Sequence, residues 1–165
     1  MKKITLAGGC FWGVEGYFQQ LKGVHDTTVG YIDGNKKNPT YREVCSGIAT
    51  HAEAMEVHYD EKIISLDKIL DHFFRIIDPF SKNRQGHDIG RQYRTGIYYT
   101  DDTEKQFILD YMKHMFGDNL KRVQTEVKMA LDFESAEEYH QDYLKKNPGG
   151  YCHVDLNLAK LEEKK

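Results

Sequence analysis

Apolar residues along the chain recur with two spacings, every second residue and about every 3.6 residues, and the switches between them divide the sequence into elements. Lys2–Ala7 reads as a short strand, broken by Gly8-Gly9. From Cys10 to Lys22, Val14, Phe18 and Leu21 fall at helical spacing with Tyr17 beside them, and Gly23 closes the helix. Thr27, Val29 and Tyr31 alternate along a second strand that Asp33-Gly34 ends. A polar loop, Asn35 to Pro39, leads into a helical turn over Thr40–Ser46. In the strand His51–Asp60, Met55, Val57 and Tyr59 share one face, and Glu56, His58 and Asp60 the other. Ser65 stands at the cap of a periodic helix (Leu66, Ile69, Leu70, Phe73, Ile76, Ile77) that Asp78-Pro79 stops.

Phe80–Gln92 has no regular pattern and reads as a long loop, a length usually reserved for function or disorder. Tyr93, Thr95, Ile97 and Tyr99 alternate as a fourth strand. Thr103–Phe116 is amphipathic, and Val123–Leu131 alternates as a fifth strand. Ser135-x-x-Glu138 is a capping box that predicts a last helix, ended by Asn147-Pro148-Gly149-Gly150. The order is β-α-β-β-α-β, then α-β-α. Its first six elements predict an α+β, two-layer ferredoxin-like sandwich with an αβα extension. The expected organisation is a body over residues 1–150 and a C-terminal tail over 151–165.

Composition narrows the classes. The net charge of −3 gives no positive field to hold phosphates, so a basic nucleic-acid binder is excluded. No apolar run approaches the roughly 18 residues of a membrane span. The apolar stretch after Met1-Lys2-Lys3 is too short for a signal peptide, so a soluble cytoplasmic protein is expected. With 11 Tyr, 8 Phe and only 3 Pro, the chain is packed rather than disordered. Three cysteines, Cys10, Cys45 and Cys152, form no CxxC pair, and the histidines form no HExxH spacing, so no metal site is expected.

Cys10 follows a Gly-Gly turn at the start of a helix, where unpaired backbone N–H groups favour thiolate. The competing reading is a small buried hydrophobe. Phe11 and Trp12 follow at once and point in different directions on the helix, so one of them can wall a substrate. Glu53 shares its strand face with Met55, Val57 and Tyr59. It is either solvated at a strand end or buried with a raised pKa as a proton donor. Cys152 follows two glycines, so its thiol can reach another only if the tail moves or already lies close. Cys45 reads as structural. Asp88, in Gly86-His87-Asp88-Ile89-Gly90, and the tyrosines Tyr41 and Tyr93 carry little signal singly.

Taken together, Gly9-Cys10-Phe11-Trp12-Gly13 resembles the signature of the A-type peptide-methionine sulfoxide reductases. The resemblance continues through Tyr41–Gly47, His51–Ala54, Gly86–Arg94 and Tyr139–Leu144, nearly to Cys152. It implies that Cys10 is the nucleophile within a catalytic body. It implies that Phe11 and Trp12 hold the substrate's methyl group. Tyr41, Glu53 and Tyr93, with Asp88, would hold the sulfoxide oxygen, and Cys152 would resolve the oxidised Cys10. The implied substrate is methionine-S-sulfoxide, the implied reductant thioredoxin, and no metal or organic cofactor is needed. After Cys152 the tail has no further cysteine, which disfavours a three-thiol relay. Two other readings stand beside this one: a thiol peroxidase, and a ferredoxin-like binding domain in which Cys10 is core.

Overall fold

The computed structural model describes all residues, 1–165. Leu6 sets the frame. On β1 (Lys2–Gly8) it lies opposite Met55 of β3 (Ala52–Tyr59) on one side and Ile97 of β6 (Thr95–Tyr99) on the other, both antiparallel. β2 (Val24–Ile32) pairs antiparallel with β3, placing Tyr31 opposite Glu53. β7 (Glu126–Met129) runs parallel to β6, and β8 (Glu134–Ser135) pairs with β2, giving the order β7-β6-β1-β3-β2-β8. β4 (Arg84–Gln85) and β5 (Asp88–Ile89) form a separate hairpin. The result is a mixed α/β fold around a central mixed sheet.

Side-chain alternation decides which face is covered. Ile4, Leu6, Val29, Met55, Val57 and Ile97 lie in one buried cluster with residues of three helices. These are α1 (Phe11–Phe18), α3 (Leu66–Ile76) and α4 (Asp102–Phe116). The opposite face buries only a small group, Ala7, Ile32, Ala52, Ala54 and Tyr98, under Ala130 and Phe133. The short helix α2 (Tyr41–Ser46) starts at a reciprocal cap. Thr40 Oγ1 accepts from the Glu43 N–H, and the Glu43 carboxylate accepts from the Thr40 N–H.

Several expectations are corrected. The first helix ends at Phe18, well before Lys22. Ser65 precedes α3 but turns its hydroxyl onto Asp67 and bonds no helix N–H. The segment Phe80–Gln92 contains the β4–β5 hairpin, and Tyr93 ends a 3₁₀ turn (Arg91–Tyr93) outside β6. The fifth strand is confined to β7. The helix expected after Ser135 does not form, so the αβα extension lacks its last member. Ser135 instead pairs with Gly30, Ala136 N–H donates to Val29 O, and Gln141 bonds both backbone groups of Val29. Pairing along the sheet edge outweighs the local capping signal. Beyond Ser135 the chain forms only a 3₁₀ turn (Glu138–His140) and a single helical turn, α5 (Tyr143–Lys146).

The last residues return to the body. Leu21 and Lys164 form a β-bridge, Gln20 Nε2 donates to Leu156 O, and Arg75 holds Glu163 through two bonds of 2.8 and 3.1 Å. That guanidinium pulls the Glu163 carboxyl down to about 2.

Candidate active site

The head of α1 organises the site. Gly9 adopts φ +87°, a left-handed conformation that glycine enters freely, and turns the chain so that Cys10 becomes the N-cap. The first helical N–H groups have no partner within the helix. Phe11 N–H donates to Glu53 Oε1 at 3.2 Å, while those of Trp12 and Gly13 point to the Cys10 sulfur.

Glu53 resolves the choice left open by the sequence, for it is only 1% exposed. Oε1 takes the Phe11 bond, and Oε2 is buried without a partner. Burial pushes its pKa up to about 8, opposed by the Phe11 N–H and assisted by the charge of Asp88. Cys10 is 6% exposed and departs from the expected thiolate. Burial raises its pKa, and the nearby Glu53 carboxylate raises it further. The N–H groups of Trp12 and Gly13 pull the other way and lose. The thiol keeps its proton, because the field at the end of one short helix is smaller than the desolvation cost.

The walls are aromatic. Phe11 packs against Tyr31 and His140 with centroids at 5.7 and 5.1 Å, and lies nearly parallel to Tyr41. Trp12 stacks on Tyr143 at 3.8 Å and 10°, and its indole N–H donates to His140 Nδ1 at 3.0 Å. The placing of Tyr41 depends on Glu137, which accepts from the Tyr31 hydroxyl with one oxygen and from the Tyr41 N–H with the other. Tyr41 and Tyr93 are half-buried, and burial and the Glu53 charge raise both pKa values, so both phenols keep their protons. Asp88 accepts from the Tyr151 hydroxyl at 3.0 Å, and its other oxygen is buried and unpartnered.

Cys152 lies beside α1. A Cβ on Gly13 would stand 3.2 Å from Cys152 Sγ, so the absence of a side chain there admits the thiol. Burial raises the Cys152 pKa, and its S–H donates to Val154 O at 3.0 Å. Cys45 is exposed at the end of α2.

The structure therefore gathers Cys10, Phe11, Trp12, Tyr41, Glu53, Asp88, Tyr93 and Cys152 around one helix end. Four of the six buried polar atoms without a partner belong here: Glu53 Oε2, Asp88 Oδ2, His140 Nε2 and His153 Nδ1. Native folds leave few such groups, so their concentration marks a place built for something other than stability. Sequence reasoning missed the two histidines. His140 sits inside the Tyr139–Leu144 motif, but its contacts are long-range and leave no local signal. No three His, Cys, Asp or Glu side chains are gathered to hold a metal ion.

Known proteins share this arrangement of chain. The family model described as peptide methionine sulfoxide reductase matches residues 2–165. A peptide methionine sulfoxide reductase MsrA of Ureaplasma urealyticum serovar 10 is 49% identical over 160 residues, 97% of each chain. Among solved structures, reduced Mxr1 from Saccharomyces cerevisiae superposes with a TM-score of 0.87. It is 37% identical, with 93% of this chain and 91% of that one covered. Mxr1 in complex with Trx2 matches at a TM-score of 0.60 and 26% identity, over 86% and 84% of the two chains. With half its residues shared along nearly the whole length of a relative, and the same fold as a solved one, the chain belongs to the peptide methionine sulfoxide reductase family.

Proposed function

We infer that this protein reduces methionine-S-sulfoxide, free or in oxidised proteins, to methionine, using Cys10 as nucleophile. The observation that carries this reading is the buried neighbourhood of Cys10 and Glu53, where the carboxyl is protonated near neutral pH and has one oxygen free. A sulfoxide sulfur is electrophilic, but its oxygen leaves only when protonated. Glu53 supplies that proton while the Tyr41 and Tyr93 hydroxyls donate to the oxygen, and Asp88 orders the hydrogen bonds around it. Cys10 attacks sulfur, and its own proton restores Glu53. The products are methionine and a Cys10 sulfenic acid. Phe11 and Trp12 receive the methyl group, which aromatic faces favour over a charged ligand.

Cys152 then condenses with the sulfenic acid, releasing water, and the resulting disulfide is reduced by a thioredoxin. The Trx2 complex of the yeast relative supports that reductant. No metal or organic cofactor enters this cycle.

The sheet order β6-β1-β3-β2, with antiparallel neighbours, supports the ferredoxin-like description of the core. Residues 1–150 are read as the catalytic body and 151–165 as the tail that supplies the resolving thiol. No helix is long and apolar enough to cross a membrane, and a cytoplasmic location fits the reducing partner.

Mass spectrometry after one equivalent of methionine-S-sulfoxide, without reductant, tests the reading. One methionine released per chain and a Cys10–Cys152 disulfide are expected. Equal turnover of hydrogen peroxide with no sulfoxide reduction would favour a peroxidase instead.

A further inference from the structure

His153 lies directly after the resolving cysteine and takes no part in the sulfoxide chemistry. Its Nε2 is 3.0 Å from Gly8 O. A carbonyl only accepts, so Nε2 carries the proton and Nδ1 keeps its lone pair. Nδ1 is buried and has no hydrogen-bond partner. It lies 3.0 Å from the point where a Cβ on Gly13 would stand, and Cys152 Sγ lies 3.2 Å from that same point. A free base and the thiol that must lose a proton thus meet over one glycine beside Cys10.

We propose that His153 is a catalytic residue for the recycling half of the reaction, taking the thiol proton of Cys152 as Cys152 attacks the Cys10 sulfenic acid. This rests on the assignment of Cys10 as nucleophile and Cys152 as resolving thiol. Burial keeps the Cys152 thiol protonated at neutral pH, so it is a poor nucleophile without a base. In the resting state its S–H donates to Val154 O, and the thiol must leave that bond to give its proton to Nδ1 across Gly13. The Cys152 sulfur then bonds to the Cys10 sulfur, and the Cys10 S–O bond breaks. The leaving hydroxide takes the proton back from the imidazolium and departs as water. Thiol and sulfenic acid become disulfide and water, with no outside oxidant or reductant.

The titratable groups that face His153 are Asp88, from the hairpin, and Cys152, which meets it over Gly13. Burial outweighs both the hydrogen bond to the Gly8 carbonyl and the Asp88 charge, and holds the imidazole below its ordinary pKa, in the basic form at neutral pH.

The experiment tracks two events after one equivalent of methionine-S-sulfoxide in stopped flow: methionine release, and loss of free thiols as the disulfide closes. In the wild type the disulfide rate should be flat from about pH 6.5 to 8, because the base is already neutral. If Cys152 ionised unaided, the rate would climb about tenfold per pH unit over that range, and the proposal would be overturned. His153→Gln can still donate to Gly8 O but cannot carry the proton away. It should slow disulfide closure about 10²-fold relative to methionine release and restore the climb with pH. Slowing of both events by one factor would make His153 a structural prop and overturn the proposal. Disulfide closure at the wild-type rate in His153→Gln overturns the proposal alone, whereas a disulfide mapped to Cys10 and Cys45 overturns the underlying reading with it. Should the variant fail to fold, the wild-type pH profile decides.

Discussion

Replacing Glu53 by Gln should make the protein more stable at neutral pH while removing most of its activity. In the folded chain the Glu53 pKa stands at about 8, against 4.5 for an ordinary glutamate. Between those two values the folded state holds a proton that the unfolded state has lost. Stability is therefore fully present below pH 4.5 and is withdrawn as pH rises towards 8. At about 1.4 kcal/mol per pH unit, the carboxyl has removed roughly 3 kcal/mol by pH 7. Gln copies the neutral acid. It can accept from the Phe11 N–H, and it never has to ionise in a site that is 1% exposed. Urea unfolding under reducing conditions should show the two proteins within about 1 kcal/mol at pH 5, and the variant ahead by roughly 3 kcal/mol at pH 7. Single-turnover methionine formation should fall by about 10²–10⁴-fold, the usual worth of a positioned acid. A stability difference that does not change from pH 5 to 8 would mean that Glu53 ionises as freely folded as unfolded. The case for a protonated donor would go with it.

Cys152→Ser should still release about one methionine per chain and then stop, with Cys10 held as a sulfenic acid that a dimedone probe labels. Sustained turnover with thioredoxin would remove Cys152 from recycling. Trp12→Ala removes the indole that stacks on Tyr143 and bonds His140, and should lower kcat/KM for sulfoxides by about 1–3 kcal/mol in transition-state binding while leaving the alkylation rate of Cys10 nearly unchanged. Unaltered kinetics would reduce Trp12 to a packing residue. Gly13→Ala places a methyl 3.2 Å from Cys152 Sγ and 3.0 Å from His153 Nδ1, and should slow disulfide closure by about tenfold, a thiol titration being the readout. Closure at the normal rate would mean that contact over Gly13 is not needed for resolution.

What could be read from the sequence and what could not divide by range. Glu53 was legible because strand parity is a local rule, and the face it shares with Met55 and Val57 is the face the helices cover. The Gly9 turn and the periodicity of α3 were legible for the same reason. The Ser135 capping box misled because its competitor, the backbone of β2, lies a hundred residues away in the chain and nothing local announces it. Cys10 misled through magnitude. A helix start does attract negative charge, but α1 is eight residues long and the thiol is buried, so desolvation wins. His140 and His153 were silent, since a histidine's meaning rests on which ring nitrogen is engaged, and only the folded contacts with Trp12 and Gly8 reveal that.

The return of the C-terminus to the body changes what kind of segment carries Cys152. Leu144 packs over Gly16, Gln20 holds Leu156, and Arg75 and Leu21 hold Glu163 and Lys164, so both ends of the span are fixed to α1 and α3. The span is a closed loop rather than a free tail. Its thiol is confined to a small volume over Gly13, one helical turn along from Cys10, which corresponds to an effective concentration on the order of millimolar. On the proposed cycle, a protein thiol arriving from solution at micromolar levels would meet a Cys10 sulfenic acid already facing a competitor about a thousandfold more concentrated. On that cycle, anchoring far from the chemistry sets which thiol would reach an oxidised Cys10 first, and the outside reductant would encounter a disulfide in place of the sulfenic acid.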